Sequence, residues 1–163
     1  MTGFASLASR LQYALPQIKL CMVHENFDQA NLYRLRKISD VDQYLAPLKH
    51  ATEEHFVSLH LNARQDIIGL HEVSHGSLVS SVVHPREVFK AAIAANSFSI
   101  IVCHNHPSGA RVEPSDEDIE VTYRLLKAGK TLCVPVIDHV ILSPNQPLYS
   151  IREHMPEIWE FGS

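Results

Sequence analysis

A chain of 163 residues is long enough for one domain with a good core, and 45% hydrophobic residues is the composition of an ordinary soluble globular protein. A net charge of -4, with only Arg34, Arg36 and Lys37 clustered, lacks the basic stripe that phosphate neutralisation needs, so direct nucleic-acid binding is disfavoured. The three cysteines, Cys21, Cys103 and Cys133, form no CxxC pair, which argues against a disulfide framework and a thiolate zinc knuckle.

The opening MTGFASLASRLQYALP has neither the charged start nor the unbroken apolar stretch of a secretory signal. No run reaches the ~18 apolar residues that span a bilayer, so the expected compartment is the cytoplasm, with no membrane partner. Residues 4 to 14 suit a short helix ending before Pro16, and IKLCMVH suits a strand; residues 1–38 are taken as an N-terminal arm. Ser39 and Asp40 look like the cap of a helix through about Leu48. HFVSLHL alternates apolar and polar residues, which predicts a half-buried strand; IIGLHEV follows the turn signal NARQD as the second arm of a hairpin. SLVSSVV reads as a third strand. Pro85 can open a helix without losing a hydrogen bond, and REVFKAAIAAN continues it. SFSIIVCH, a continuous apolar run, predicts a central strand buried on both faces. Beyond the loop NHPSGARVEP, Ser115 is placed as an N-cap with Asp116, Glu117 and Asp118 in the first turn of a helix to about Ala128. TLCVPVIDHVILS supplies one or two more strands, and PNQP is a turn. Strands alternating with helices, opened by a hairpin, predict an α/β domain with a mixed sheet.

Histidine, at 11 residues, is the unusual entry in the composition. His104 and His106 stand at positions i and i+2 at the end of the apolar strand, so both imidazoles face the same side of an extended chain. Asp118 lies one turn into the capped helix. A strand end facing a helix N-terminus is a crevice where α/β sheets place ligands. Two neutral imidazoles and one carboxylate leave the fourth position of a tetrahedral zinc open for water, which is the arrangement of a catalytic rather than a structural site.

HNHPSG followed by PSDED resembles the JAMM motif of MPN-domain metallohydrolases, specifically their RadC-type bacterial branch. HPREVFKAAIAANSFSIIVCHNHPSG, PSDEDIEVTYRLLKAG, VIDHVILS and LYSIRE extend the likeness from about residue 39 to the C-terminus, so residues 39–163 are expected to form the JAMM/MPN catalytic domain. The resemblance implies an MPN fold, similar to cytidine-deaminase-like layering, with a mixed central sheet flanked by helices. It also implies Zn2+ on His104, His106 and Asp118, Ser115 as a donor to the oxyanion, and an upstream glutamate as general base. Glu54 matches that position best; Glu53 is its neighbour, and adjacent strand residues face opposite ways, so one of the two points at the metal. The loop SGARVEPS is one residue longer than the family's usual spacer. Alignment on PS-x-x-D selects Ser115 and Asp118, whereas rigid counting from His106 selects Pro114, which has no hydroxyl, and Glu117. The helix-hairpin-helix segment that often precedes the domain in longer relatives is not recognisable.

The implied activity is a zinc metallopeptidase cleaving amide or isopeptide bonds in a protein or peptide substrate. The alternative is a non-catalytic accessory or scaffold protein associated with DNA repair or mobile elements, reaching nucleic acid through partners. A zinc deaminase needs HxE with a later PCxxC, and His104-Asn105-His106 with the isolated Cys133 does not supply it. His139, after Asp138, is either a buried structural residue or a group behind the ligands. The other histidines show no ligand spacing, and Trp159 and Phe161 anchor the tail.

Overall fold

The computed structural model describes residues 33–76, 83–109 and 112–162. The helix and strand expected before residue 33, and all of SLVSSVV but Val83, lie outside the described residues. In chain order the elements are β1 (Tyr33–Arg34), α1 (Asp40–Tyr44), α2 (Ala46–Lys49), β2 (His55–Leu61), β3 (Asp66–His75), α3 (Pro85–Ala94), β4 (Ser99–Asn105), α4 (Asp116–Leu132), β5 (Val136–Ser143), β6 (Gln146–Ser150), α5 (Ile151–His154) and α6 (Glu157–Gly162). Among the described residues six strands form one sheet in the order β1-β3-β2-β4-β5-β6. β4 and β5 pair in parallel and every other neighbour is antiparallel, so the sheet is mixed, as expected. Among the described residues no helix is long and apolar enough to cross a membrane.

β4 is buried along its whole length, and its period of two feeds two cores. Ile100 and Val102 join Val88, Phe89, Leu125, Leu126 and Trp159 on the face that carries α3, α4 and α6. Ile101 and Cys103 join Val41, Leu45, Val57 and Leu59 on the face that carries α1. His104 therefore continues the row of Ile100 and Val102, towards α4. This parity is what lets a strand end and a helix start meet.

Several expectations are corrected by the packing. β2 is not half-buried: it lies between β3 and β4 and is buried from Phe56 to Leu61. Its polar alternates are satisfied internally, with Ser58 Oγ 3.0 Å from His60 Nε2 and His60 Nδ1 2.9 Å from Ser97 Oγ. The helix expected from residue 40 to 48 breaks at Leu45 into α1 and α2, and the Ser39 side chain makes no cap. The Asp40 carboxylate instead ties down the turn before the helix, accepting from the N–H groups of Arg36 and Lys37. α4 runs past Ala128 to Leu132, and TLCVPVIDHVILS yields one strand, β5, of the one or two expected. Gly129 lies within the helix, where a Cβ would stand 2.7 Å from the Val134 carbonyl oxygen, so glycine lets the returning chain approach the helix. The turn out of α4 is made by Cys133 in the left-handed region, φ 57°. The expected hairpin, the Pro85 helix start and the central strand are all present; His84, unremarked in the sequence, caps α3 by accepting from Arg86 N–H. Trp159 anchors the tail by donating to the Val136 carbonyl oxygen at 3.0 Å.

Candidate metal centre

The site begins with local chain geometry. His104 is the penultimate residue of β4 and is fully buried. His106 lies just past the strand, but its N–H still donates to the Leu142 carbonyl oxygen at 2.8 Å. The chain thus stays alongside β5 for one more residue, and the two imidazoles remain on one face. Their Nε2 atoms are 3.0 Å apart.

The carboxylate arrives from α4. Ser115 forms a capping box: Asp118 N–H donates to Ser115 Oγ at 3.2 Å, and Ser115 N–H donates back to Asp118 Oδ2 at 2.8 Å. The Ser115 hydroxyl also donates to Asp118 Oδ2, at 2.7 Å. The cap therefore aims Asp118 at the strand end, placing Oδ1 3.2 Å from His104 Nε2 and Oδ2 3.7 Å from His106 Nε2. Four ligand atoms of a tetrahedral zinc lie roughly 3.3 Å from one another, given metal–ligand bonds of about 2.0–2.1 Å. The three separations straddle that value, the two to Asp118 being to different carboxylate oxygens, so donor types and spacing are those a small divalent cation would accept.

The glutamate comes from a strand remote in sequence. β2 pairs antiparallel with β4, Phe56 opposite His104, which carries residue 54 level with the ligands. Asn105, facing away from its two histidine neighbours, clasps the backbone on either side: its Nδ2 donates to the Glu53 carbonyl oxygen at 3.0 Å and its Oδ1 accepts from His55 N–H at 2.8 Å. Glu54 is half-buried and offers a carboxylate oxygen that, with one nitrogen each from His104 and His106, lies within 4.8 Å of both; Glu53 is exposed. Pro114 and Glu117, the outcome of rigid counting, take no part in these contacts among those recorded for the described residues.

The electrostatics follow from burial and from the convergence of ligating groups. Burial alone would raise the Asp118 carboxyl, but its contacts with His104, His106 and the Ser115 hydroxyl outweigh that and hold it well below the usual carboxylate range. Glu54 is shifted the other way: burial raises it, with His104 and His106 pulling down and Asp118 pushing up. Glu54, His104 and His106 bring one ligand atom each to within 4.8 Å of one another, and Asp118 lies against the same two imidazoles, a grouping that a divalent cation would suit.

Three residues that the sequence did not assign complete the surroundings. His139, left open between two roles, is fully buried and its Nε2 lies 2.9 Å from His104 Nδ1. Thr122 Oγ1 lies 2.7 Å from His139 Nδ1 and donates to the Asp118 carbonyl oxygen at 2.6 Å. Asn105 is the third. Phe56 stacks on His104 with ring centroids 6.1 Å apart and meets His139 edge-on at 5.5 Å, closing the inner wall. Burial, reinforced by the charges at His104 and His106 against the opposing pull of Asp118, holds His139 well below the ordinary histidine range. The one legible signal for this group was DH in VIDHVILS; nothing in the local pattern marks Thr122.

Comparison with known proteins places the arrangement. A family model described as the RadC-like JAB domain matches residues 35–156. A UPF0758 protein of Staphylococcus haemolyticus is 52% identical over 116 residues, which is 71% of this chain and 50% of that protein. UPF0758 proteins of Alkaliphilus metalliredigens and Rubrobacter xylanophilus are 43% and 47% identical over 126 and 117 residues, 77% and 71% of this chain and 53% and 50% of theirs. The chain thus spans about half the length of the curated relatives it matches.

Proposed function

The chain belongs to the RadC-like JAB-domain family, and from that premise we propose that it is a zinc-dependent metallohydrolase that cleaves amide or isopeptide bonds in a protein or peptide substrate. Family and candidate cluster together support a metal-binding JAB-fold protein. The observation that carries the finer reading is the convergence of His104 Nε2, His106 Nε2 and the Asp118 carboxylate, 3.0 to 3.7 Å apart, with the Glu54 carboxylate beside them. His104, His106 and Asp118 would hold the ion, and Glu54 is the general base. We further assign residues 39–163 to the catalytic domain, residues 1–38 to an arm, and the protein to the cytoplasm.

When bound, zinc supplies Lewis acidity that polarises a carbonyl and brings the acidity of water towards neutrality. Glu54 takes the proton of the attacking water and delivers it to the leaving amine. Its raised carboxyl suits both steps, because a base closer to the working pH also returns its proton more readily. Ser115 is assigned to the oxyanion, a contact worth about 3 kcal/mol in comparable sites. Its hydroxyl proton here goes to Asp118 Oδ2, so that role requires Asp118 to release the bond once its oxygens engage a metal.

The test pairs elemental analysis with a hydrolysis screen. Purified protein should carry stoichiometric zinc and His106→Ala should not; zinc in neither would sink the metal reading. Against amide and isopeptide libraries, Glu54→Gln should keep its zinc and lose roughly 100- to 10,000-fold in kcat/KM. A wild type that binds zinc and hydrolyses nothing would favour the scaffold reading instead.

A further inference from the structure

We propose that His139, held by Thr122, is a positioning residue that fixes the His104 ring in the tautomer with its proton on Nδ1 and so presents Nε2 as a bare donor. This deepens the zinc reading and rests on His104 being a ligand.

The argument is a count of protons. Thr122 has one hydroxyl proton, and it is committed to the Asp118 main-chain carbonyl, which can only accept. Towards His139 Nδ1, at 2.7 Å, the same oxygen must therefore accept, which puts a proton on Nδ1. His139 is fully buried and its ring nitrogens are engaged by a threonine hydroxyl and an imidazole, with no carboxylate on either. A buried charge without a counter-charge is costly, so the ring is neutral and its Nε2 bare. His104 Nδ1, 2.9 Å away, must then be the donor. With that proton held on Nδ1, the nitrogen His104 can give up to a metal is Nε2, the atom 3.0 Å from His106 Nε2 and 3.2 Å from Asp118 Oδ1.

The relay works against a local preference. Left to itself, a neutral His104 would carry its proton on Nε2 and donate to the Asp118 carboxylate at 3.2 Å, a tautomer that cannot ligate through Nε2. The chain His104–His139–Thr122 also ends on the backbone of Asp118, the residue whose side chain faces His104, so two ligands from different elements share one hydrogen-bonded ring. Groups that orient a ligating imidazole typically change metal affinity by about 10- to 100-fold when lost.

The experiment uses the full chain. Long-range 1H–15N spectra of chelator-treated wild type at neutral pH should show a protonated Nδ1 on both His104 and His139 and a pyridine-type Nε2 on His139. Zn2+ affinity, by competition with a chromophoric chelator, should fall about 10- to 100-fold in His139→Phe and in Thr122→Val, and recover in Thr122→Ser. In Thr122→Val the His104 signals should move towards the Nε2-protonated form, a change that mere loss of packing would not produce. A wild-type His104 without a proton on Nδ1, or a folded Thr122→Val with wild-type zinc affinity, overturns the proposal. If His139→Phe does not fold, the wild-type spectrum and the threonine pair decide. Failure of the wild type to bind zinc would defeat the metal reading while the spectrum still decides the tautomer.

Discussion

Acid should unfold this protein partly through a histidine that lies outside the metal centre. His60 is 2% exposed on β2, between Ser58 and Ser97, and burial, aided by the charge of His71, brings it down to about 4 from an ordinary 6.5. The folded chain therefore keeps His60 neutral until about pH 4, whereas the unfolded chain takes up the proton near pH 6.5. Its contribution to stability is complete above pH 6.5, declines as the pH falls, and is gone by about 4. The gap between the two values corresponds to about 3 kcal/mol, a large share of the 5–15 kcal/mol typical of a domain. Urea unfolding of wild type and His60→Gln at a series of pH values isolates this residue from every other group titrating in the window. The stability difference between the two chains should shrink by about 3 kcal/mol from neutral pH to about pH 4. Parallel curves would refute the reasoning, and would mean that His60 is protonated in the fold or that β2 admits water.

Three other outcomes are expected. Gly129→Ala places a Cβ 2.7 Å from the Val134 carbonyl oxygen and 3.2 Å from the Phe89 ring, so urea midpoints should fall by an amount equivalent to about 1–3 kcal/mol. Ser115→Ala removes the cap of α4 and the hydroxyl that aims Asp118; calorimetry should register a loss of about 1 kcal/mol, and zinc affinity should fall with it. Free Zn2+ at about 100 times its Kd should stabilise the wild type by about 2.7 kcal/mol over the chelator-treated protein, and should leave His106→Ala unmoved in thermal melts.

What the sequence disclosed divides by distance along the chain. The apolar run of β4, the i and i+2 spacing of His104 and His106, and the cap that fixes Asp118 are local, and the alternation of strands and the reach of a side chain suffice to read them. The exposure of β2 was misjudged because Ser58 and His60 look solvent-facing until Ser97 closes over them. The end of α4 was misjudged because Gly129 serves the packing of Val134, a contact visible only once the chain has returned. Glu54 could be narrowed to a pair by family likeness, but what sets its backbone is the Asn105 side chain, fifty residues away at His55.

The same division runs through the site itself. β4, α4 and β5 are consecutive, and this one crossover unit supplies the three proposed ligands and the whole relay: His104 from the first strand, His106 just after it, Asp118 and Thr122 from the helix, His139 from the second strand. In the parallel register Val102 lies opposite His139 and His104 opposite Ile141, which sets the His139 ring diagonally against His104. A slip of one residue would turn His139 to the other face and break the relay while leaving HxH intact. Only the proposed base, Glu54, comes from outside, on a strand whose position depends on long-range antiparallel pairing. Metal affinity should thus follow the integrity of the crossover unit, and proton transfer that of the β2–β4 pairing. Damage to the Asn105 clasp should accordingly lower kcat while leaving the zinc dissociation constant nearly unchanged, a separation that Asn105→Ala can test directly, and equal losses in both would show that the two functions are not carried by separate parts of the sheet.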